Sequence, residues 1–171
     1  MANEMMIEPS DLITLEKVTK TLNLVQRNIL NVKAIFKEKY EVSHDCTKGK
    51  KMFDQLNEYD RICIVSENII KGEGYSEILY GFETTGKLVI QIYIRTENYN
   101  HNNFNQLIKK RKDNFKYETF DHGSRIYLEK NLGEYINDEN SEKKIEKWFI
   151  EGFDLMDLFM KETYGKIEWN K

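Results

Sequence analysis

Between Ser10 and Tyr40, the apolar residues Leu15, Val18, Leu22, Val25, Ile29, Val32 and Phe36 follow one another at alternating spacings of three and four. A strand, whose side chains repeat every two residues, cannot place such a set on one line, whereas an α-helix can. The pattern therefore predicts a helix over residues 10–40, about 25 to 30 residues long, opening after Pro9 with Ser10 or Asp11 as its N-cap. Leu12, Leu24, Leu30 and Ile35 widen the stripe beyond what a two-stranded coil needs. A stripe this long must be covered, and two covers are open: the chain's own sheet, or the same stripe of a second copy. In the second case Leu15, Val18, Leu22, Val25, Ile29, Val32 and Phe36 form a homodimer interface.

The rest of the chain changes period. Residues 41–51 are polar and read as a loop leading to a short helix at 52–58. Three runs rich in Ile, Val, Leu and Tyr follow, 61–66, 78–83 and 87–96, with Thr84, Thr85 and Gly86 as a turn between the last two. In the third run, Leu88, Ile90, Ile92 and Ile94 point one way while Val89, Gln91, Tyr93 and Arg95 point the other, so one face meets a core and the other is partly wet. An Asn-rich stretch, 98–103, caps a short basic helix in which Phe104, Leu107, Ile108 and Arg111 share a face. Strands at 115–120 and 125–129 flank Asp121, His122, Gly123 and Ser124, a hairpin composition in which Gly123 supplies positive φ. A closing amphipathic helix over 140–164 turns Ile145, Trp148, Phe149, Met156, Phe159 and Met160 inward and stops at Gly165.

Strands and helices do not alternate regularly, so the expected class is α+β: a long N-terminal helix, a mixed or antiparallel sheet interrupted by the short basic helix, and a C-terminal amphipathic helix. The 171 residues suit one domain, with 1–9 as a flexible tail, 10–40 as the patterned helix and 52–164 as the α+β core. Charged residues make up 32% and apolar runs are short, which argues against a membrane span. With no secretory leader at the start and two cysteines at unrelated sites, the expectation is a cytoplasmic protein in which Cys46 and Cys63 are free thiols.

Chemistry is sparse by motif. Neither a Walker loop nor a dinucleotide fingerprint is present, and no Gly-x-Ser-x-Gly elbow appears. His44, Asp45 and Cys46 are adjacent, so their side chains diverge unless the loop curls, and no His or Cys pair has the close spacing of a zinc site. The Glu142, Lys143, Lys144 spacing matches a nuclease pair but falls on a helix start, where an exposed charged face accounts for it. No catalytic residue, metal ligand or cofactor is therefore assigned. The formal charge is -3, so nucleic-acid binding would need a local patch. Lys109, Lys110, Arg111, Lys112, Lys116 and Arg125 supply one. From Glu97 to Lys130 seven basic residues face five acidic ones, net +2, while 131–171 carries six against ten, net -4.

The 88–94 strand, the helix carrying Phe104, Leu107, Ile108 and Lys109, the Ser124-Arg125-Ile126 strand start and Trp148 in the last helix together resemble, over about residues 78–164, an uncharacterised accessory domain. That domain follows restriction-endonuclease-like nuclease domains in bacterial and phage proteins. The resemblance implies a DNA-associated setting of defence or counter-defence and identifies no catalytic residue. The leading expectation is a non-enzymatic interaction protein with a protein or nucleic-acid partner, and a homodimer where the stripe of a second copy covers its own. The alternatives are nucleic-acid binding through the Lys109 to Lys112 helix, and a small enzyme using Asp45, Cys46 and one histidine.

Overall fold

The computed structural model describes residues 9–111 and 114–170. The expected tail, up to Glu8, and Lys112 of the basic cluster lie outside them. In chain order the elements are α1 (Pro9–Asn31), α2 (Lys33–Lys39), β1 (His44–Asp45), α3 (Gly49–Tyr59), β2 (Arg61–Glu67), β3 (Ser76–Glu83), β4 (Lys87–Arg95), α4 (His101–Lys109), β5 (Lys116–Phe120), β6 (Gly123–Asn131), a 3-10 turn (Leu132–Glu134) and α5 (Ser141–Glu162). The strands form one six-stranded sheet in the order β1-β2-β3-β4-β6-β5, and every neighbouring pair is antiparallel. The class is thus α+β, with the long first helix and the closing helix where the sequence places them.

The core lies on one face of this sheet. Strand alternation sends Ile62, Ile64, Ile78, Tyr80, Leu88, Ile90, Ile92, Ile94, Ile126 and Leu128 to that side. They meet Val25, Ile29, Val32 and Phe36 from α1 and α2, Phe104 and Ile108 from α4, and Ile145, Phe149, Phe153, Met156 and Phe159 from α5. At the centre, Tyr80 packs against Phe36, Phe149 and Phe153 with ring centroids 4.7, 5.3 and 4.9 Å apart. Its hydroxyl, buried among these rings, donates to the Ile29 carbonyl at 2.9 Å, which avoids leaving it unpaired.

The predicted single helix is two. It breaks at Val32, yet Val32 N–H still donates to the Asn28 carbonyl and Phe36 N–H to the Val32 carbonyl, so the stripe stays on one side. Just before the break, buried Asn28 turns its amide back onto the Leu24 carbonyl at 2.8 Å, a side-chain competitor for the helical ladder. The start also differs from expectation: Pro9 already lies in the helix, which suits its fixed φ, so Ser10 and Asp11 are helical residues rather than caps.

The stripe itself divides. Arg27 pairs with Glu142 at 2.7 Å, Asn31 with Glu146 at 2.6 Å and Lys39 with Asp154 at 3.1 Å, so α1 and α2 run parallel to α5. Because α5 begins alongside Arg27, the first half of α1 reaches past it, and residues 9–20 are exposed throughout. Val25, Ile29, Val32 and Phe36 are 0 or 1% exposed in the chain's own core, which withdraws them from the expected dimer interface. Leu15 and Val18 remain on the surface, and Leu22 is half-buried. Among the described residues, no helix is long and apolar enough to cross a membrane.

Candidate functional site

Among the described residues, the second face of the sheet is covered by a helix only at one side, and most of the side chains along it are polar and in register. One row across it reads Glu67, Glu77, Tyr93, Arg125 and Glu118; the next reads Val65, Leu79, Gln91, Tyr127 and Lys116. The row after these holds Cys63, Gly81 and Val89. Gly81 is required there, since a Cβ would lie 2.0 Å from the Ile62 carbonyl oxygen and 2.7 Å from Cys63 Cα, contacts that the backbone cannot relieve. The helix α3 stands at the β1-β2 edge and closes one side of this face: its Gln55 accepts from Arg61 Nε at 3.0 Å and lies 3.7 Å from Cys63 Sγ.

A cavity of about 600 Å³ opens over these rows, within the size range of ligand sites in general. Its deepest charge is Glu77, with a side chain only 4% exposed. Tyr75 donates its hydroxyl to Glu77 Oε2 at 2.6 Å, Gln91 donates its amide to Oε1 at 3.2 Å, and the Arg61 guanidinium lies 3.7 Å from the same oxygen. A buried carboxylate survives only with such partners. Gln91 in turn accepts from Arg125 at 2.9 Å, and Arg125 donates through Nε to Glu118 at 2.8 Å while its guanidinium lies over the Tyr127 ring, 4.5 Å from the centroid. The network thus runs from Tyr75 to Tyr127 through charge-assisted bonds. Burial pushes the Tyr75 hydroxyl well above its ordinary value, and the adjacent Glu77 carboxylate adds to it. Burial and the bond to Glu118 push Tyr127 up to about 12.

At the mouth, Arg95 lies over the Tyr75 ring at 5.7 Å. Among the described residues it has no carboxylate within ion-pair distance, in contrast to Arg61 and Arg125, which lie deeper. Phe120 and His122 stack at 5.5 Å on the β5-β6 turn and make the opposite lip. The turn departs from expectation in one respect. Gly123 does not adopt positive φ; glycine is needed because a Cβ would meet the Tyr93 hydroxyl at 2.4 Å and the Ile94 carbonyl at 2.5 Å. Tyr93 uses that hydroxyl to donate to the His122 carbonyl at 3.1 Å, which ties the lip to the floor.

The basic cluster expected from sequence does not assemble. Lys109 and Lys110 end α4, on the helical side of the sheet, whereas Lys116 and Arg125 project from the opposite face. Arg111 pairs with Glu162 at 2.8 Å, Lys116 with Glu129 at 2.6 Å and Arg125 with Glu118. Because neighbouring strand residues alternate faces and α4 crosses only one of them, proximity in sequence became separation in space.

His44, Asp45 and Cys46 do diverge in part. Asp45 turns away to Lys33, 2.6 Å off, and accepts from Thr47. Burial acts to raise its carboxyl, yet these bonds together hold it below its ordinary value. His44 and Cys46, two positions apart on an extended segment, both face the cavity, and His44 pairs with Glu67 at 3.1 Å. His101 is buried on the other side, 3.0 Å from the Ser124 hydroxyl, and its desolvated ring is held below the ordinary histidine value. The Asn-rich stretch anchors loops rather than capping α4: Asn98 and Asn100 donate to the Lys71 carbonyl at 3.2 and 3.0 Å. Among the described residues, no group of three His, Cys, Asp or Glu side chains is arranged to hold a metal.

Sequence reasoning missed the cavity as a unit. Its one local signal was the alternation Val89, Gln91, Tyr93, Arg95, which marks a wet face but not what crosses it. Comparison with protein-family models, curated proteins and solved structures finds no match to this chain.

Proposed function

We propose that the protein is a non-enzymatic binding protein whose partner inserts an acidic segment into the cavity on the open face of the sheet. The observation that carries this reading is the division of labour among its charges. Glu77 at the base is already satisfied by Tyr75, Gln91 and Arg61, so it serves to hold the floor rigid. Arg95, at the mouth and without a carboxylate among the described residues, is a cation left to meet an anion, held over the face of Tyr75, with Lys51 of α3 also lining the cavity. A guanidinium held on an aromatic face is preorganised for bidentate carboxylate recognition and loses little rotamer freedom on binding. Polar rows and aromatic rims suit a peptide loop better than an apolar metabolite. Nucleic acid is the less favoured partner, because Arg111, Lys116 and Arg125 are each engaged by a carboxylate.

Selection from a random peptide library tests the reading. Enriched sequences should carry Asp or Glu, and their binding should drop at least tenfold in Arg95→Glu while Lys110→Glu, on the other side of the sheet, leaves it unchanged. Enrichment of basic or wholly apolar peptides, or binding indifferent to Arg95→Glu, would refute it. Tight, salt-sensitive binding of oligo-dT in place of peptide would restore the nucleic-acid alternative.

A further inference from the structure

Cys46 and Cys63 are seventeen positions apart in sequence and directly opposite in space. The register of β1 on β2 pairs Asp45 with Ile64, and one step further Cys46 N–H donates to the Cys63 carbonyl at 2.9 Å. Directly opposed residues of an antiparallel pair have Cα atoms about 4.5 to 5.5 Å apart, inside the range a disulfide spans. Both thiols are free, and both belong to one small cluster with Val65, Leu79, Val89 and Tyr127. The two sulfurs differ in their access. Cys46, itself only 5% exposed, lines the cavity wall, whereas Cys63 is 0% exposed, beneath Gln55 and beside Gly81, whose missing Cβ leaves its side chain room.

We infer that Cys46 and Cys63 form a reversible peroxide-sensing thiol pair, with Cys46 as the attacking sulfur and Cys63 as the resolving one. The Cys46 thiolate attacks one oxygen of hydrogen peroxide; an S–O bond forms, the O–O bond breaks, and the departing hydroxide takes a proton to become water. The Cys63 sulfur then attacks Cys46 Sγ; the S–S bond forms, the S–O bond breaks, and hydroxide leaves with the Cys63 proton as a second water. Two thiols lose two electrons and the peroxide gains them, and a dithiol reductant returns the pair to its starting state. The assignment of roles agrees with the electrostatics. The adjacent Cys63 thiol lowers the Cys46 thiol against the opposing effect of burial, with His44, Lys51 and Arg61 nearby, while the proximity of Cys46 and burial raise Cys63.

The full chain, treated with a small excess of hydrogen peroxide under non-reducing conditions, provides the test by intact mass and peptide mapping. A loss of two hydrogens, a single link between the peptides carrying Cys46 and Cys63, and recovery of both thiols with dithiothreitol are expected. Cys63→Ser should halt at a sulfenic acid on Cys46 that dimedone traps, while Cys46→Ser should leave Cys63 unmodified on the same timescale. Retention of both thiols, a link between two chains, or oxygen added to Cys46 of the unsubstituted protein without a link would each overturn the pairing. Equal oxidation rates for the two serine variants would overturn the roles. The unsubstituted protein decides the pairing even if a variant fails to fold, and peptide binding by the reduced protein is independent of either result.

Discussion

The stripe of α1 and α2 divides into an exposed half and a buried half, and truncating one residue in each separates them. Ile29 is fully buried against Tyr80, whereas Leu15 is 61% exposed. Ile29→Ala removes three carbons from the core, worth about 2.4 kcal/mol at roughly 0.8 kcal/mol per methylene. The cavity left behind adds to this, because the rings around Tyr80 relax only partly, and brings the loss to about 3–4 kcal/mol. For a chain of 171 residues that corresponds to a fall of about 10 °C in Tm. Leu15→Ala should stay within about 0.5 kcal/mol, as surface substitutions do. Urea unfolding followed by far-UV circular dichroism, at two protein concentrations about tenfold apart, reads both quantities. A cost for Leu15→Ala comparable with that of Ile29→Ala, or a midpoint that rises with concentration, would refute this division. It would show that the exposed half of the stripe is packed against a second copy. A cost below about 1 kcal/mol for Ile29→Ala would instead refute the core.

Three further outcomes follow from the site. Gly81→Ala should abolish cooperative unfolding or soluble expression, because its Cβ would overlap the Ile62 carbonyl and Cys63 Cα; a Tm within a few degrees of the parent would contradict that packing. Glu77→Ala leaves the Tyr75 hydroxyl, the Gln91 amide and Arg61 without their acceptor, a loss of about 3 kcal/mol by urea denaturation; Glu77→Gln, which keeps one carbonyl oxygen, should cost less. The carboxyls of Asp45 and Glu129 both sit below their ordinary values of 3.8 and 4.5, for Glu129 chiefly through its bond from Lys116. Depressed carboxyls bind fewer protons folded than unfolded, so their stabilisation is complete above those ordinary values and is lost as pH falls through the folded ones. The urea midpoint should therefore drop between pH 5 and pH 3, and Asp45→Asn should shrink that drop; an unchanged acid profile would contradict the assigned bonds.

The elements were legible because each depends on a local period. Strict three-four spacing placed the first helix, Leu88 to Ile94 placed a strand and its buried side, and the amphipathic pattern after Asn140 placed the last helix, all against the same core. What the residues could not announce was contact. Whether Leu15 and Ile29, spaced alike on one stripe, share a fate depends on where α5 begins beside α1, and no local pattern encodes that. Lys116 and Arg125 read as neighbours of Lys109, yet strand alternation and the placement of α4 put them on opposite sides of the sheet. Glu77, Gln91 and Arg125 lie far apart in sequence and were brought into one network by the register of β3, β4 and β6; Cys46 met Cys63 through that of β1 on β2. Periodicity is a property of adjacent residues, and it determined which elements form and which face each buries. Register and helix docking are chosen by the whole chain's packing, and they alone decided the cavity, its charges and the thiol pair.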